Sequence, residues 1–257
     1  MFRKIALWLL LLEIVGSMVL FAQQDEEEPL PPPRRTSAPK IGGALGFTQN
    51  VLFLNLDPIN EVLRKSNAAP FSGNAMLLTG AQGYGYVMVV NNLRVGGMGA
   101  TGTRKSTSVD PGGNISRNVE LSAGYGGVTV DYVIPVVPRL DLALGGLVGG
   151  GGMSFKMTLD RGNVRLWNDV WDTFGSATAA DQYSTKVSGS FFVYQPSVNL
   201  EYAVLRWLGV RAGASYLGMA GSNWKQDDQF DVSGVPDNIS GKGWMINGGI
   251  FVGTFIF

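Results

Sequence analysis

From residue 41 onward the chain repeats one pattern. Runs in which apolar and polar side chains alternate are separated by short polar, glycine- or proline-bearing breaks. Alternation with a period of two is the signature of a β-strand with one face apolar. Eight such runs stand out, at 41–54, 74–87, 93–107, 115–133, 140–159, 185–203, 208–220 and 241–257. In 185–203, Phe192, Tyr194, Val198, Leu200 and Tyr202 share one face, and Gln195, Ser197, Asn199 and Glu201 share the other. In 208–220, Leu208, Val210, Ala212, Ala214 and Tyr216 oppose Arg211, Gly213 and Ser215. In 115–133 the phase slips. Val119, Leu121, Ala123 and Tyr125 are in step, but Val128, Val130 and Tyr132 fall in the opposite step, which predicts a bulge near Gly126-Gly127.

The last run, Gly243 to Phe257, has no charge and no proline. In an open sheet so apolar a strand would be an adhesive edge. A closed barrel in lipid pairs it on both sides. The expectation is that Phe251, Phe255 and Phe257 share a face and turn it to hydrocarbon, leaving Ile246, Ile250 and Ile256 on the other face without a firm role.

The connections alternate in character. Those near Val89–Asn92, Pro135–Pro138 and Val204–Trp207 are tight, whereas 55–73, 108–114, 160–184 and 221–240 are longer or more polar. Short turns at one rim and long loops at the other are the habit of outer-membrane barrels, with an even strand number when both ends lie in the periplasm. The fold class predicted is therefore all-β, an eight-stranded antiparallel transmembrane β-barrel with short helices in its outer loops. Asp57 to Lys65 predicts one helix, with a cap residue, Pro58 at the first helical position and Glu61 four before Lys65. Leu166, Trp167, Val170, Trp171 and Phe174 recur at helical spacing and predict another.

Residues 1–22 read as a cleavable export signal. Arg3 and Lys4 precede an apolar stretch, and Ala22 offers the cleavage site. Residues 23–40, with Asp25 to Glu28 followed by Pro29, Pro31, Pro32 and Pro33, read as a solvated, extended linker. The barrel is expected over 41–257.

Acidic and basic residues balance at 20 each, which argues against a nucleic-acid partner. Glycine is abundant, 36 residues, and sits inside strand-like runs such as Gly149 to Gly152. In a narrow barrel it relieves curvature and leaves room for large lumen side chains. The chain has neither cysteine nor histidine. This excludes Ser-His hydrolysis, thiol nucleophiles and histidine-rich metal centres. No cofactor or metal is predicted, and the chain is expected not to be an enzyme.

Alternating strands, alternating turn lengths, an export signal and the terminal Phe251, Phe255 and Phe257 together resemble the small eight-stranded outer-membrane β-barrels, of the kind represented by OmpX and the transmembrane domain of OmpA. The block Asn92-Leu93-Arg94-Val95-Gly96-Gly97-Met98-Gly99 is similar to a subgroup of bacterial barrel proteins without an assigned activity. The resemblance implies a bacterial outer-membrane location, outer-membrane lipid as surroundings, and recognition of the terminal phenylalanines by the barrel-assembly machinery. It also implies that catalysis would need histidine, as in barrel lipases, acyltransferases and omptin-like proteases. The helix at Asp57–Lys65 departs from the smallest members.

Charges inside the predicted strands are few. Arg94, Asp131, Asp141, Glu201 and Arg211 all approach the tight-turn end and are expected to form a ring in the lumen. The ring reads either as a salt-bridged plug or as a charged gate for ions and small solutes. Trp167, Trp171 and Phe174 are the candidate contact surface in the loops. Trp207 and Tyr202, and at the other rim Trp224 and Trp244, read as interfacial girdles. Asp227, Asp228 and Asp231 form an acidic loop without EF-hand spacing, and Gly80 to Gly85 lacks the following helix of a phosphate cradle. The expected function is a non-enzymatic barrel with a structural or surface-interaction role carried by its outer loops, the alternative being a narrow channel gated by the charge ring. A surface ligand is not identified.

Overall fold

The computed structural model describes residues 42–110, 112, 115–161, 182–236 and 238–255. The signal and linker segments, and Phe257, lie outside the described residues. Eight long strands form the wall: β1 (Gly43–Leu54), β2 (Ala75–Tyr86), β3 (Leu93–Val109), β4 (Ser116–Val137), β5 (Leu140–Asp160), β6 (Gln182–Ala203), β7 (Leu208–Gln226) and, after the two-residue β8 (Phe230–Asp231), β9 (Gly243–Gly253). Each pairs antiparallel with its predecessor, except that β9 pairs with β7, and β1 pairs with β9 to close the ring. Closure leaves no free edge at membrane depth, which lipid would not tolerate. The connections after β2, β4 and β6 are short and lie at one end, the turn end; those after β1, β5 and β7, which are longer, and the short one after β3 lie at the other, the loop end. The turn after β4 is Pro138-Arg139, with Arg139 at φ 71°, and not the Pro135–Pro138 corner expected from sequence.

The outer wall is apolar in its turn-end half. Leu45 (74% exposed), Phe47, Val95, Val128, Val130, Tyr132, Leu144, Val148, Phe192, Tyr194, Val198, Leu200, Ile246, Ile250 and Val252 all point outward and are exposed. In water such a belt would be adhesive, whereas in lipid it is solvated. Strands β3 to β7 are 17 to 22 residues long, against 11 or 12 for β1, β2 and β9. A tilted 22-residue strand rises on the order of 55 Å, about twice the height of a ~25 Å apolar band. The surplus forms a wall beyond the membrane. Most of its outward side chains are polar, Val109 being an exception: Thr103, Lys105 and Thr107 on β3, Glu120 and Ser122 on β4, and Lys156 on β5. Cross-strand bonds join them, with Thr103 to Ser122 at 3.1 Å and Lys105 to Glu120 at 3.0 Å.

The interior inverts with the exterior. Where the outside is apolar, the lumen holds polar and charged side chains. Where the outside is polar, the lumen is an apolar plug of Leu52, Met76, Leu121, Val193, Leu217, Met245 and neighbours. This accounts for the phase slip expected at Gly126-Gly127. The ladders on both sides of β4 run through those residues without interruption. Val119, Leu121, Ala123 and Tyr125 face inward into the plug, while Val128, Val130 and Tyr132 face outward into lipid. The strand stays in register and the surroundings change. A bulge does occur elsewhere, where Gly221 (φ 66°) and Ser222 oppose the single residue Phe191. The extra residue turns Trp224 into the lumen. There its ring stacks on Phe155 at 6.3 Å, over Gly189, where an added Cβ would lie 2.8 Å from the ring. Trp224 is therefore 6% exposed and belongs to the plug, not to a girdle. Trp207 and Trp244 are exposed near the two rims as expected.

Helix α1 (Asp57–Lys65) caps the plug with Leu63 and Ile59. Asp57 is its first residue and not its cap, and the Asn55 side chain accepts the Asp57 N–H at 3.2 Å. Pro58 needs no N–H donor in the first turn, and Glu61 pairs with Lys65 at 2.8 Å. Asn60 fixes the returning segment by accepting from the Phe71 N–H (2.8 Å) and donating to the Phe71 carbonyl (3.3 Å).

The inversion predicts a depth-dependent response to charge. Val198→Arg, in the outward belt, should lower unfolding stability by about 2–4 kcal/mol, and Thr103→Arg, on the outward wall beyond it, by less than about 1 kcal/mol. Equilibrium unfolding from lipid vesicles measures both, and equal losses would contradict the two-zone exterior.

Candidate functional site

Four of the five charges expected in the lumen meet in one buried network. Register brings them together: Arg94 on β3 is the cross-strand partner of Asp131 on β4, and Glu201 on β6 that of Arg211 on β7. Each lies in the inward phase of its strand. Arg94 Nε donates to Asp131 Oδ2 at 3.0 Å, and Arg94 Nη1 donates across the bore to both oxygens of Glu201 at 3.3 Å. Arg211 donates to Glu201 Oε2 through Nε (3.0 Å) and Nη2 (2.5 Å). The four residues are at most 4% exposed. Two guanidinium and two carboxylate groups leave the network formally neutral, which is the condition for holding charges out of water. Asp141, the cross-strand neighbour of Glu201, is half buried at the turn-end rim.

Three uncharged residues join the network, and two of them, Tyr84 and Gln82, are not marked as site residues by the sequence. Tyr84 Oη donates to Glu201 Oε1 at 2.6 Å, and Gln82 Oε1 accepts from Arg211 Nη1 at 2.7 Å. The third is Phe251. The Arg94 guanidinium lies 4.2 Å from the Tyr84 ring centre, and that of Arg211 lies 4.2 Å from the Phe251 ring centre. These are cation–π contacts in a desolvated setting. The signal that could have found Tyr84 and Gln82 is the inward phase of β2, where Gln82, Tyr84 and Tyr86 alternate.

Phe251 corrects the sequence expectation. It is fully buried and points into the lumen, as does the half-buried Phe255 that packs with it, while Trp244, Ile246, Ile250 and Val252 meet the lipid. The reason is local. Gly46 sits opposite Phe251 on β1, and its missing Cβ is the space the ring fills, since an added Cβ would lie 2.5 Å from the ring. Room made by glycine is here taken by a neighbouring strand's side chain.

With both Glu201 oxygens engaged and the residue 3% exposed, the network is chemically a brace. Among the described residues no group of three or more His, Cys, Asp or Glu could hold a metal ion. Asp227 and Asp228 form the tight turn into β8, both at positive φ. Asp227 accepts from the Lys186 N–H, and bonds from Ser188 and Lys186 hold the Asp228 carboxyl below its ordinary range. Gly80 to Gly85 lie within β2. Trp167, Trp171 and Phe174 lie outside the described residues.

No family model matches the chain, and no curated protein matches its sequence. Among solved structures it is similar to Ail, the attachment invasion locus protein of Yersinia pestis, in complex with a heparin analogue (11% identity, 83% of this chain and 99% of that chain, TM-score 0.42). It is also similar to a major outer membrane protein of Thermus thermophilus (11% identity, 82% and 99%, TM-score 0.40) and to Neisserial surface protein A (10% identity, 83% and 94%, TM-score 0.30). The closed strand ladder and the outward apolar belt, taken together, make this chain an antiparallel transmembrane β-barrel of the outer-membrane type.

Proposed function

We propose that this protein is a non-enzymatic, non-conducting outer-membrane barrel whose working surface is the wall and loops beyond the membrane at the loop end. The observation that carries this reading is a lumen obstructed twice. The Arg94–Asp131–Glu201–Arg211 brace crosses it near the turn end, and the apolar plug under α1 fills it at the loop end. A solute would have to break buried ion pairs and then displace a packed hydrocarbon core. The long β3–β7 wall supports the surface role. The β2–β3 ladder ends at Thr79–Thr101, so Gly102–Val109 of β3 is paired by β4 alone. The returning segment 69–75 covers part of that edge, with Arg104 Nη1 donating to the Ala75 carbonyl (2.6 Å) and Ser106 Oγ to the Ala69 carbonyl (2.7 Å), and Lys105 discourages pairing of the remainder with another copy of this chain. The buried Glu201 carboxylate, bonded at both oxygens, and the lack of histidine and cysteine favour a role without catalysis.

Planar-bilayer recording of the purified, refolded barrel tests the reading against a narrow channel. A silent bilayer is the expected result. Steady currents whose ion selectivity changes in Glu201→Gln would overturn it in favour of the gate.

A further inference from the structure

Between brace and plug lies a small chamber with a free volume of about 20 Å³. Its lining mixes neutral polar residues, including Thr48, Asn50, Thr129, Gln195, Ser197 and Asn199, with the apolar Met98 and Leu147, and it shares Asp131 and Gln82 with the brace below. Three of these residues carry a buried side-chain oxygen with no hydrogen-bond partner on the protein: Asn50 Oδ1, Thr129 Oγ1 and Gln195 Oε1. The amide nitrogens of the first and last are engaged elsewhere, Asn50 Nδ2 with Thr48 Oγ1 and the Leu78 carbonyl, and Gln195 Nε2 with Ser215 Oγ. All three residues are at most 4% exposed.

We propose that this chamber is a specific binding site for internal water. The volume admits a water molecule, which needs roughly 10–15 Å³ of such space. The bonding inventory matches as well. Two amide oxygens can only accept and one hydroxyl can donate, and one water supplies two donors and an acceptor. A cation would also attract the oxygens, but it would add an uncompensated charge next to a neutral ion network, at a large desolvation cost. An empty chamber would leave three buried polar atoms unsatisfied in one place, against the general rule. Bound water here also raises the local polarity beside Asp131 and Gln82, which eases the burial of the brace. The lumen therefore has three layers: an ion brace, a water site and a dry plug.

Two measurements test this in the intact folded barrel. With Asn and Gln side chains labelled with nitrogen-15 in detergent micelles, the Asn50 and Gln195 amide protons should show Overhauser cross-peaks to long-lived water. Absence of both peaks would mean a dry chamber and overturn the proposal. Peaks that shift when sodium replaces choline at constant ionic strength would mean a cation and overturn it equally. Under pulsed X-ray radiolysis, which generates radicals from bound water, Met98 on the chamber wall should oxidise several-fold faster than Met157, which is likewise partly buried but packs against the plug away from the chamber. Equal rates would also count against the site, and this second readout needs no substitution that could prevent folding.

Discussion

Replacing Glu201 by leucine should be among the most damaging single changes in the barrel, lowering its unfolding free energy by about 3–5 kcal/mol. Glu201 is the hub of the brace, taking hydrogen bonds from Tyr84, Arg94 and Arg211. Leucine removes the hub and leaves two guanidinium groups buried, with Asp131 for Arg94 and Gln82 for Arg211 as their remaining partners. The loss comes mainly from stranding charge, not from the strength of the pairs themselves. Two comparisons separate those causes. Glu201→Gln keeps an acceptor of the same shape but removes the charge, and should fall between wild type and leucine. Replacing Arg94, Asp131, Glu201 and Arg211 together by apolar residues of similar volume should be neutral or stabilising, by up to about 4 kcal/mol. Equilibrium urea unfolding in lipid vesicles, followed by tryptophan fluorescence, gives all three values. A Glu201→Leu variant within about 1 kcal/mol of wild type would show that the brace carries little of the fold.

The strands, the turn asymmetry and the inward charges are legible in the sequence because each rests on a period-two pattern that the barrel must obey on both faces at once. Phe192, Tyr194, Val198 and Leu200 face out, and Gln195, Asn199 and Glu201 face in, as the alternation of β6 requires. Legibility fails where one assumption, that apolar means outward, is carried past the height of the membrane. Along β4 the inward face is charged at Asp131, polar at Thr129 and apolar from Tyr125 to Val119, so the apolar set changes sides without any change of register. Trp224 departs from its expected girdle for a related reason, since the bulge at Gly221 reverses the phase just before it. The brace is half legible. Arg94, Asp131, Glu201 and Arg211 announce themselves as charges in apolar runs. Tyr84 and Gln82 do not, because an aromatic or amide residue suits either face, and only the three-dimensional register places them beside Glu201 and Arg211.

Phe251 presents the same ambiguity in the last strand and yields the second large effect. Apolar residues occupy both faces of β9, so composition cannot choose between them. Packing does, because Gly46 opposite Phe251 offers the hollow that the ring fills, with Tyr84 at 6.0 Å and Arg211 over its face. Phe251→Ala should therefore cost about 3–5 kcal/mol, the range for emptying a buried aromatic site. Val252→Ala, one residue on but facing lipid, should cost less than about 1 kcal/mol, because lipid chains refill the space. Gly46→Ala should cost about 1–3 kcal/mol by overpacking against the ring. Part of that cost should vanish when Phe251 is already alanine, although the Ile250 carbonyl, 2.6 Å from the added methyl, keeps the remainder. Unfolding of protein refolded in vitro isolates this packing term from any reading of Phe251 by an assembly machinery in the cell. If Phe251→Ala refolds with wild-type stability but fails to insert in cells, the residue acts as an address and the lumen contact is incidental. If the refolded variant is itself weakened and the weakening couples to Gly46, the ring is part of what holds the barrel shut.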